Sequence, residues 1–443
     1  MIHRRPGAAA PLHLALLLLA AGCGPSDEAS LAPPDPSVIE RADAERVLSI
    51  LAADSMRGRR AFTDDALRAA DFLAREFEQA GLEGLQGGYQ QRFAVRSLEP
   101  GEAHVVLDGQ ALAPEQFRVR AGAPALAWVT GDVEVVRVDP ADDLQSAMGR
   151  LRSVSGDALM LVPSARADLV AALAGFFERP VRTLGDAQQP SMVLAVWDGT
   201  DPTYEVTAAA RITEEPLVNV VGMLPGRRSD EFVLFSAHYD HIGIRPAVEG
   251  DSIANGANDD ASGTTAVVEL ARYFASRGTP ERSLLFAAFT AEEGGGYGSR
   301  YYSSQLDPDQ IVAMFNIEMI GKPAVEGPNT AWITGFERSS FGPLLQEAVQ
   351  GTPYTFYADP YPEQNLFYRS DNATLARLGV PAHSISTTPI DVDTDYHQVS
   401  DEIETLDLDH LTNTIRAIAT GAERFVTGES TPTRVDPATV ERR

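Results

Sequence analysis

The sequence predicts an α/β protein with a doubly wound, largely parallel sheet. Three observations carry that prediction. Four continuous apolar runs, 217–226, 231–240, 283–293 and 311–321, each end in polar residues, the pattern of strands buried on both faces. Between the second and third runs lies SGTTAVVELARYFASRG (262–278), where Ala266, Val267, Leu270, Ala271 and Phe274 form a helical stripe stopped by Gly278 and Pro280. Strand and helix then alternate, as crossover connections between parallel strands require.

In chain order, the first segment is an export signal. His3, Arg4 and Arg5 precede an apolar run, 11–21, that is too short to span a bilayer comfortably. It ends in AAGC, with Cys23 the only cysteine of the chain. This resembles a bacterial lipoprotein signal, with 1–22 removed and Cys23 acylated as the membrane anchor. A lone cysteine also excludes an intrachain disulfide. Residues 23–40 contain the polar, Pro-rich stretch GPSDEASLAPPDPS and read as a flexible tether. The expected location is therefore the cell envelope, on a periplasmic or extracellular face.

Residues 41–97 open the main domain. The apolar spacing from Ala42 to Gly81 is helical, with Ala66, Ala69, Ala70, Leu73, Phe77 and Ala80 on one face and Gly81 as a stop. GGYQQRFAV (87–95) reads as a strand. Residues 98–212 differ: HVVLDG, DVEVVRVD, DALMLVPS and SMVLAVWDG are short apolar or alternating segments divided by turn residues. This stretch reads as an inserted β-rich accessory domain that covers one edge of the site. Its only histidine, His104, reads as a surface or satisfied strand residue, so the insert should supply no metal ligand. The main domain resumes over 213–428, and 429–443 reads as a frayed polar tail.

The bulk numbers bound the function. A chain of 443 residues, 44% hydrophobic, carries 63 acidic against 36 basic residues, for a net charge of −27. Such a field excludes nucleic acid as a partner, because phosphate binding needs a positive patch.

Acidic and histidine residues cluster at the ends of the apolar runs, where open α/β sheets bind their ligands. In HYDH (238–241), His238 is a metal-ligand candidate. Asp240, two residues on, is placed to accept a hydrogen bond from the other ring nitrogen. His241 reads as a loop-packing histidine. In GANDDASG (256–263), Asp259 is the candidate bridge between two metals, and Asp260 suits a helix cap. In AEE (291–293), one of Glu292 and Glu293 should ligate a metal while its neighbour stays free to take a proton from water. In NIEMIG (316–321), Glu318 sits inside an otherwise apolar strand, where a buried carboxylate is costly without the partner that a metal would provide. In DYHQVSD (395–401), His397 is the last ligand candidate, and Tyr396 could donate to a developing oxyanion. No HExxH motif occurs.

The ordered set HYDH, GANDDASG, AEE, NIEMIG, SDN (370–372) and DYHQVSD resembles the co-catalytic di-zinc aminopeptidases, the aminopeptidase-Y-like zinc exopeptidases. The segment RGRRAFTDDALRAADFL (57–73) is similar to the start of secreted members. The resemblance implies a three-layer, phosphorylase/hydrolase-like α/β sandwich with a protease-associated-like insert. It implies two zinc ions per chain, one on His238, Asp259 and Glu318, the other on Asp259, Glu293 and His397. Glu292 is then the general base, Asp240 orients His238, and the Asp259–Asp260 peptide bond is a candidate for cis. The activity implied is removal of N-terminal residues from peptides through a water held between the zincs. The chain departs from the family in Glu318, where aspartate is usual, and in Asn372, where the motif is SDH. The alternatives are a carboxypeptidase of acidic peptides, a glutaminyl-cyclase-like transferase and a non-catalytic envelope binding protein. For the carboxypeptidase, Arg369 is the only cation evident near the motifs. The sequence leaves the oligomeric state open.

Overall fold

The computed structural model describes residues 34–441 apart from Gln86; the export signal, Cys23 and most of the tether lie outside them. Strands form where the apolar runs predict. Arg228–His238 pairs in parallel with Arg282–Phe289 on one side and with Ile311–Ile317 on the other, and Ala382–Ser386 continues the parallel set. Tyr204–Leu224 flanks Arg282–Phe289 antiparallel. At the opposite edge Thr330–Ile333 runs antiparallel to Ala382–Ser386 and parallel to Thr355–Ala358. Every residue of Arg282–Phe289 is buried, as a strand covered on both faces demands.

Helices cover both faces, giving three layers. Arg41–Leu51, Asp64–Gln79, Gly263–Ser276 and Leu408–Val426 bury their apolar sides in one core cluster. Tyr302 of Tyr297–Ser304, together with Leu375 and Ala376 of Asn372–Ala376, fills a second cluster on the other face. The first core centres on Phe235, whose ring lies 5.0–5.5 Å from those of Phe274, Phe286 and Phe315.

The segment 42–81 folds as two helices rather than one. Between them Asp54–Arg59 turns, with positive φ at Arg57, Gly58 and Arg59. Gly58 is needed there: a Cβ would lie 2.3 Å from the Ala254 carbonyl oxygen. The six residues placed on one helical face do face inward, and Gly81 follows the second helix at φ +80°.

The insert has its own sheet, Phe117–Arg120, Met192–Val196, Ala158–Val162 and Glu134–Arg137. Two core clusters built from residues 103–210 fill it. It also carries helices, chiefly Leu144–Ser153, so it is α/β rather than purely β. Its expected borders at 98 and 212 are not breaks. Gln90–Leu107 and Tyr204–Leu224 pass through both positions as one long antiparallel ribbon, from Gln90 opposite Val220 to Leu107 opposite Tyr204. The shift in sequence character marks a change of neighbours along continuous strands.

The tail corrects another expectation. Val435 and Val440 are buried in the second core cluster, and Arg434 donates to the Ile311 carbonyl at 2.9 Å. Arg282, itself buried, donates to the Ser430 carbonyl at 2.7 Å. A polar composition conceals these two apolar anchors.

Phe235→Ala should lower the free energy of unfolding by about 3–5 kcal/mol, the usual cost of emptying a buried aromatic site. Chemical denaturation of the purified protein measures it.

Candidate metal centre and active site

The ligand candidates converge at the carboxyl ends of the central strands. His238 is the last residue of Arg228–His238. Asp259 lies in the turn before the helix Gly263–Ser276, Glu292 and Glu293 follow Arg282–Phe289, and Glu318 follows Ile311–Ile317. Glu318 thus sits just beyond its strand, where the chain leaves the sheet.

Two groups form around Asp259. His238 Nε2 is 3.3 Å from Asp259 Oδ1 and 3.2 Å from Glu318 Oε1. On the other side, His397 Nε2 is 3.2 Å from Asp259 Oδ2 and 3.0 Å from Glu293 Oε1. One carboxylate oxygen of Asp259 therefore faces each group, the arrangement of a bridging ligand. His238, Asp259, Glu293, Glu318 and His397 are all brought together.

His241 does not pack a loop. Its ring is buried and points into the second group, with Nδ1 3.1 Å from Glu293 Oε1 and 3.7 Å from Asp259 Oδ2. Both ring nitrogens lack a hydrogen-bond partner, as do Asp259 Oδ2 and Glu293 Oε1. Gly256 admits the ring: its φ is +57° and a Cβ there would lie 2.4 Å from the imidazole. The alternation of a strand would put His241 and His238 on opposite sides, but the regular strand ends at His238, so that alternation does not extend to His241.

Orphaned buried atoms of this kind fit a cation. The donor atoms of His238, Asp259 and Glu318, and those of His241, Asp259 and Glu293, lie within 4.8 Å of one another, imidazole nitrogens and carboxylate oxygens of a set suited to zinc. Burial alone would raise the Asp259 carboxyl, but His241, His238 and His397 around it hold it well below the usual carboxylate range. Burial works against protonation of His397, yet Asp259 and Glu293 outweigh it and hold that imidazole up at about 10. Glu292 behaves oppositely. Burial pushes its carboxyl well above the usual range; His238 pulls against this, while Glu318, Asp371 and Glu293 add to it.

Asp240 is buried as expected but acts through different atoms. Its backbone carbonyl accepts the bond from His238 Nδ1–H at 3.0 Å, while the nearer carboxylate oxygen is 3.9 Å from that nitrogen. That carboxylate oxygen accepts from the Glu292 backbone N–H at 3.0 Å. Asp260 serves the cap: one of its oxygens accepts from the N–H groups of Gly263 and Met319, both at 3.0 Å. The Asp259–Asp260 peptide bond is cis. Tyr396 stacks on His397 with ring centroids 4.0 Å apart, and its hydroxyl accepts from Arg369 at 3.2 Å.

Several supporting groups lie in or beside the matched motifs without a role that the sequence assigned them. Asp401 accepts from the N–H groups of Asn258 and Asp259, at 2.9 and 3.0 Å, and so fixes the bridging residue. Arg59, fully buried, donates to the carbonyls of Leu51, Tyr239, Asn255 and Gly256 and ties both ligand loops to the first helix. Asn372 accepts from Ser384 Oγ at 3.0 Å and donates to the Phe367 carbonyl, touching neither ligand group directly but joining, through Ser384, the hydrogen bonds of Asn316. Ser370 Oγ–H donates to the second oxygen of Glu318 and receives a bond from Asn316 Nδ2 at 2.8 Å.

Comparison with known proteins agrees with this geometry. Residues 219–422 match peptidase family M28. A leucine aminopeptidase 1 of Penicillium rubens is 29% identical over 210 residues, covering 44% of this chain and 52% of that protein. One from Leptosphaeria maculans is 28% identical over 209 residues, with the same coverage. The chain thus spans about half the length of the curated relatives it matches. Two solved structures share the fold: a zinc aminopeptidase from Bacillus subtilis, with TM-score 0.55, 18% identity and coverage of 89% and 97%, and an aminopeptidase from Aneurinibacillus sp. strain AM-1, with TM-score 0.53, 17% identity and coverage of 92% and 97%. The ligand cluster, the parallel strands that present it and the match of residues 219–422 to peptidase family M28 coincide over one stretch.

Proposed function

We propose that this protein is an exported aminopeptidase that uses two zinc ions per chain to remove N-terminal residues from peptides. The observation that carries the reading is Asp259, which turns one oxygen to each of two ligand groups. His238, Asp259 and Glu318 would hold one zinc, and His241, Asp259, Glu293 and His397 the other. Bound there, zinc supplies a Lewis acid for the scissile carbonyl and eases deprotonation of water.

The chain's own groups account for the remaining steps. Glu292 lines the same pocket as Asp259, Glu293, Glu318 and His397. It takes the proton from the attacking water and delivers it to the leaving amine. Its raised affinity for a proton suits that work near neutral pH. Asp240 fixes the ring of His238 through its carbonyl and the backbone of Glu292 through its carboxylate. Tyr396 donates its hydroxyl hydrogen to the carbonyl oxygen as negative charge gathers there. Met319, Trp332, Leu366 and Ile390 line the same small pocket, of about 60 Å³, and would receive an apolar first side chain.

Blocking groups test the direction of attack. N-terminal acetylation of a substrate should abolish turnover and C-terminal amidation should leave it. The reverse pattern would establish a carboxypeptidase, the second reading, which a cluster of arginines beside the centre favours.

Glu292→Gln should lower kcat by about 100- to 10,000-fold, the span of general-base catalysis, with little change in zinc content. Glu293→Gln should keep the base but lose zinc from one site; metal analysis beside kinetics separates the two.

His241→Ala should also weaken the site shared with Glu293 and His397. Under graded chelation it should give up one zinc before the unaltered protein does, as read by metal content per chain.

The location proposed is the cell envelope, held by a lipid on Cys23. The basic start, the short apolar run and the lone cysteine in AAGC support it. Cys23→Ser should move the protein from membrane to soluble fractions; unchanged fractionation would refute the anchor.

A further inference from the structure

A second, much larger cleft opens on the other side of the metal centre, about 1080 Å³ in volume. One wall belongs to the insert, through Phe176, Pro180, Pro190 and Met192; the other holds Asp240, His241, Glu293 and Tyr297. Six arginines line it: Arg60, Arg120, Arg179, Arg182, Arg245 and Arg300. Only three acidic residues do. Glu215 is bonded to Arg182, Glu293 belongs to the ligand cluster and Asp240 is fully buried. In a chain with 63 acidic and 36 basic residues, the sign of this cleft is inverted.

The arginines are available. Among the described residues, Arg60, Arg120, Arg179, Arg245 and Arg300 make no ion pair with any carboxylate. Arg120 is half-buried, over the ring of Phe176 at 5.1 Å, and its Nε has no hydrogen-bond partner. Arg300 lies 5.6 Å from the ring of Tyr297. The insert is held against this wall by Tyr297, whose hydroxyl donates to the Arg182 carbonyl at 3.0 Å. Like charges gathered without partners repel one another and cost stability unless a ligand brings the opposite charge. That all six are arginine, with no lysine, suits the paired oxygens of carboxylates, which a guanidinium fork meets with two parallel bonds.

The two cavities meet at Glu293, which lines both. The small pocket on the Glu318 side takes one residue, and the cleft on the His241 side leads away from it. A peptide whose first residue fills the pocket has its scissile bond at the centre and its remaining residues in the cleft. We infer that the arginine-lined cleft selects peptides with acidic side chains just after the scissile bond. The inference rests on the aminopeptidase reading for its direction, and the insert, which supplies no ligand, supplies half of the selecting wall.

The test uses the full chain loaded with zinc and two amidated peptides, Leu-Glu-Glu-Glu-Gly and Leu-Gln-Gln-Gln-Gly, so that charge comes from side chains alone. Exposed arginine–carboxylate pairs contribute a factor of about 2–5 each, so kcat/KM should favour the acidic peptide on the order of tenfold or more at low salt. The preference should reside mainly in KM and shrink in 0.5 M salt. It should fall toward one in Arg179→Gln/Arg245→Gln and reverse in Arg179→Glu/Arg245→Glu. These side chains are exposed, so the variants should fold, which circular dichroism checks. Fluorescence anisotropy of an N-acetylated acidic peptide gives a second readout that needs no turnover. Equal turnover of both peptides with no effect of salt would overturn the inference and leave the peptidase reading intact. No turnover of either, with salt-sensitive binding of the acidic peptide that the double variants lose, would sustain the cleft and sink the peptidase reading. Failure of both turnover and binding would overturn the inference.

Discussion

The centre of this molecule is governed by carboxyl groups crowded where water is scarce. Asp240, Asp259, Asp260, Glu292, Glu293, Glu318, Asp371 and Asp401 act on one another across the ends of four strands. Burial pushes Asp240 up to about 7, and Asp371 and Asp401 up to about 6. An unpaired buried charge is costly, and folding must compensate it with opposite charge or hydrogen bonds. Three histidines and Arg59 supply part of the balance; divalent cations at the two proposed sites would supply the rest. Metal binding and stability are therefore linked here, because only the folded chain assembles the ligands.

Backbone groups, more than side chains, hold the ligand loops. Arg59 binds four carbonyls, Asp401 two N–H groups and Asp260 three. Each holds backbone rather than substrate, and bonds to the guanidinium of Arg59 are of the strong, charge-assisted kind. Beneath Glu318, the buried chain Ser236–Asn316–Ser370 sets the position of that carboxylate.

The insert changes what the centre faces. The ribbon of Gln90–Leu107 and Tyr204–Leu224 extends the main sheet outward and carries the second sheet at its far end. Its wall returns beside His241 through the contact of Arg182 with Tyr297. The ligand cluster thereby lies between a small, partly apolar pocket and a broad basic cleft. The chain's overall charge gives no hint of this, since a net charge sums over the whole surface while a cleft samples one part of it.

The local rules were enough for the parallel strands, the helix 263–276, the strand-end placement of His238, Glu293 and Glu318, and the choice of Asp259 and His397 as their neighbours. Apolar periodicity and motif order are properties of short stretches, and buried strands write them plainly. Tertiary structure alone decided the rest. His241 meets Glu293 because the regular strand ends at His238 and Gly256, 15 residues on from His241, leaves room for the ring. Asp240 gives His238 its carbonyl rather than its carboxylate for the same reason. The packed tail, the unbroken ribbon through 98 and 212, the clamp at Arg59 and the gathering of six arginines all join residues far apart in sequence. Their pairing depends on which surfaces the fold brings together, and no window of sequence contains that information.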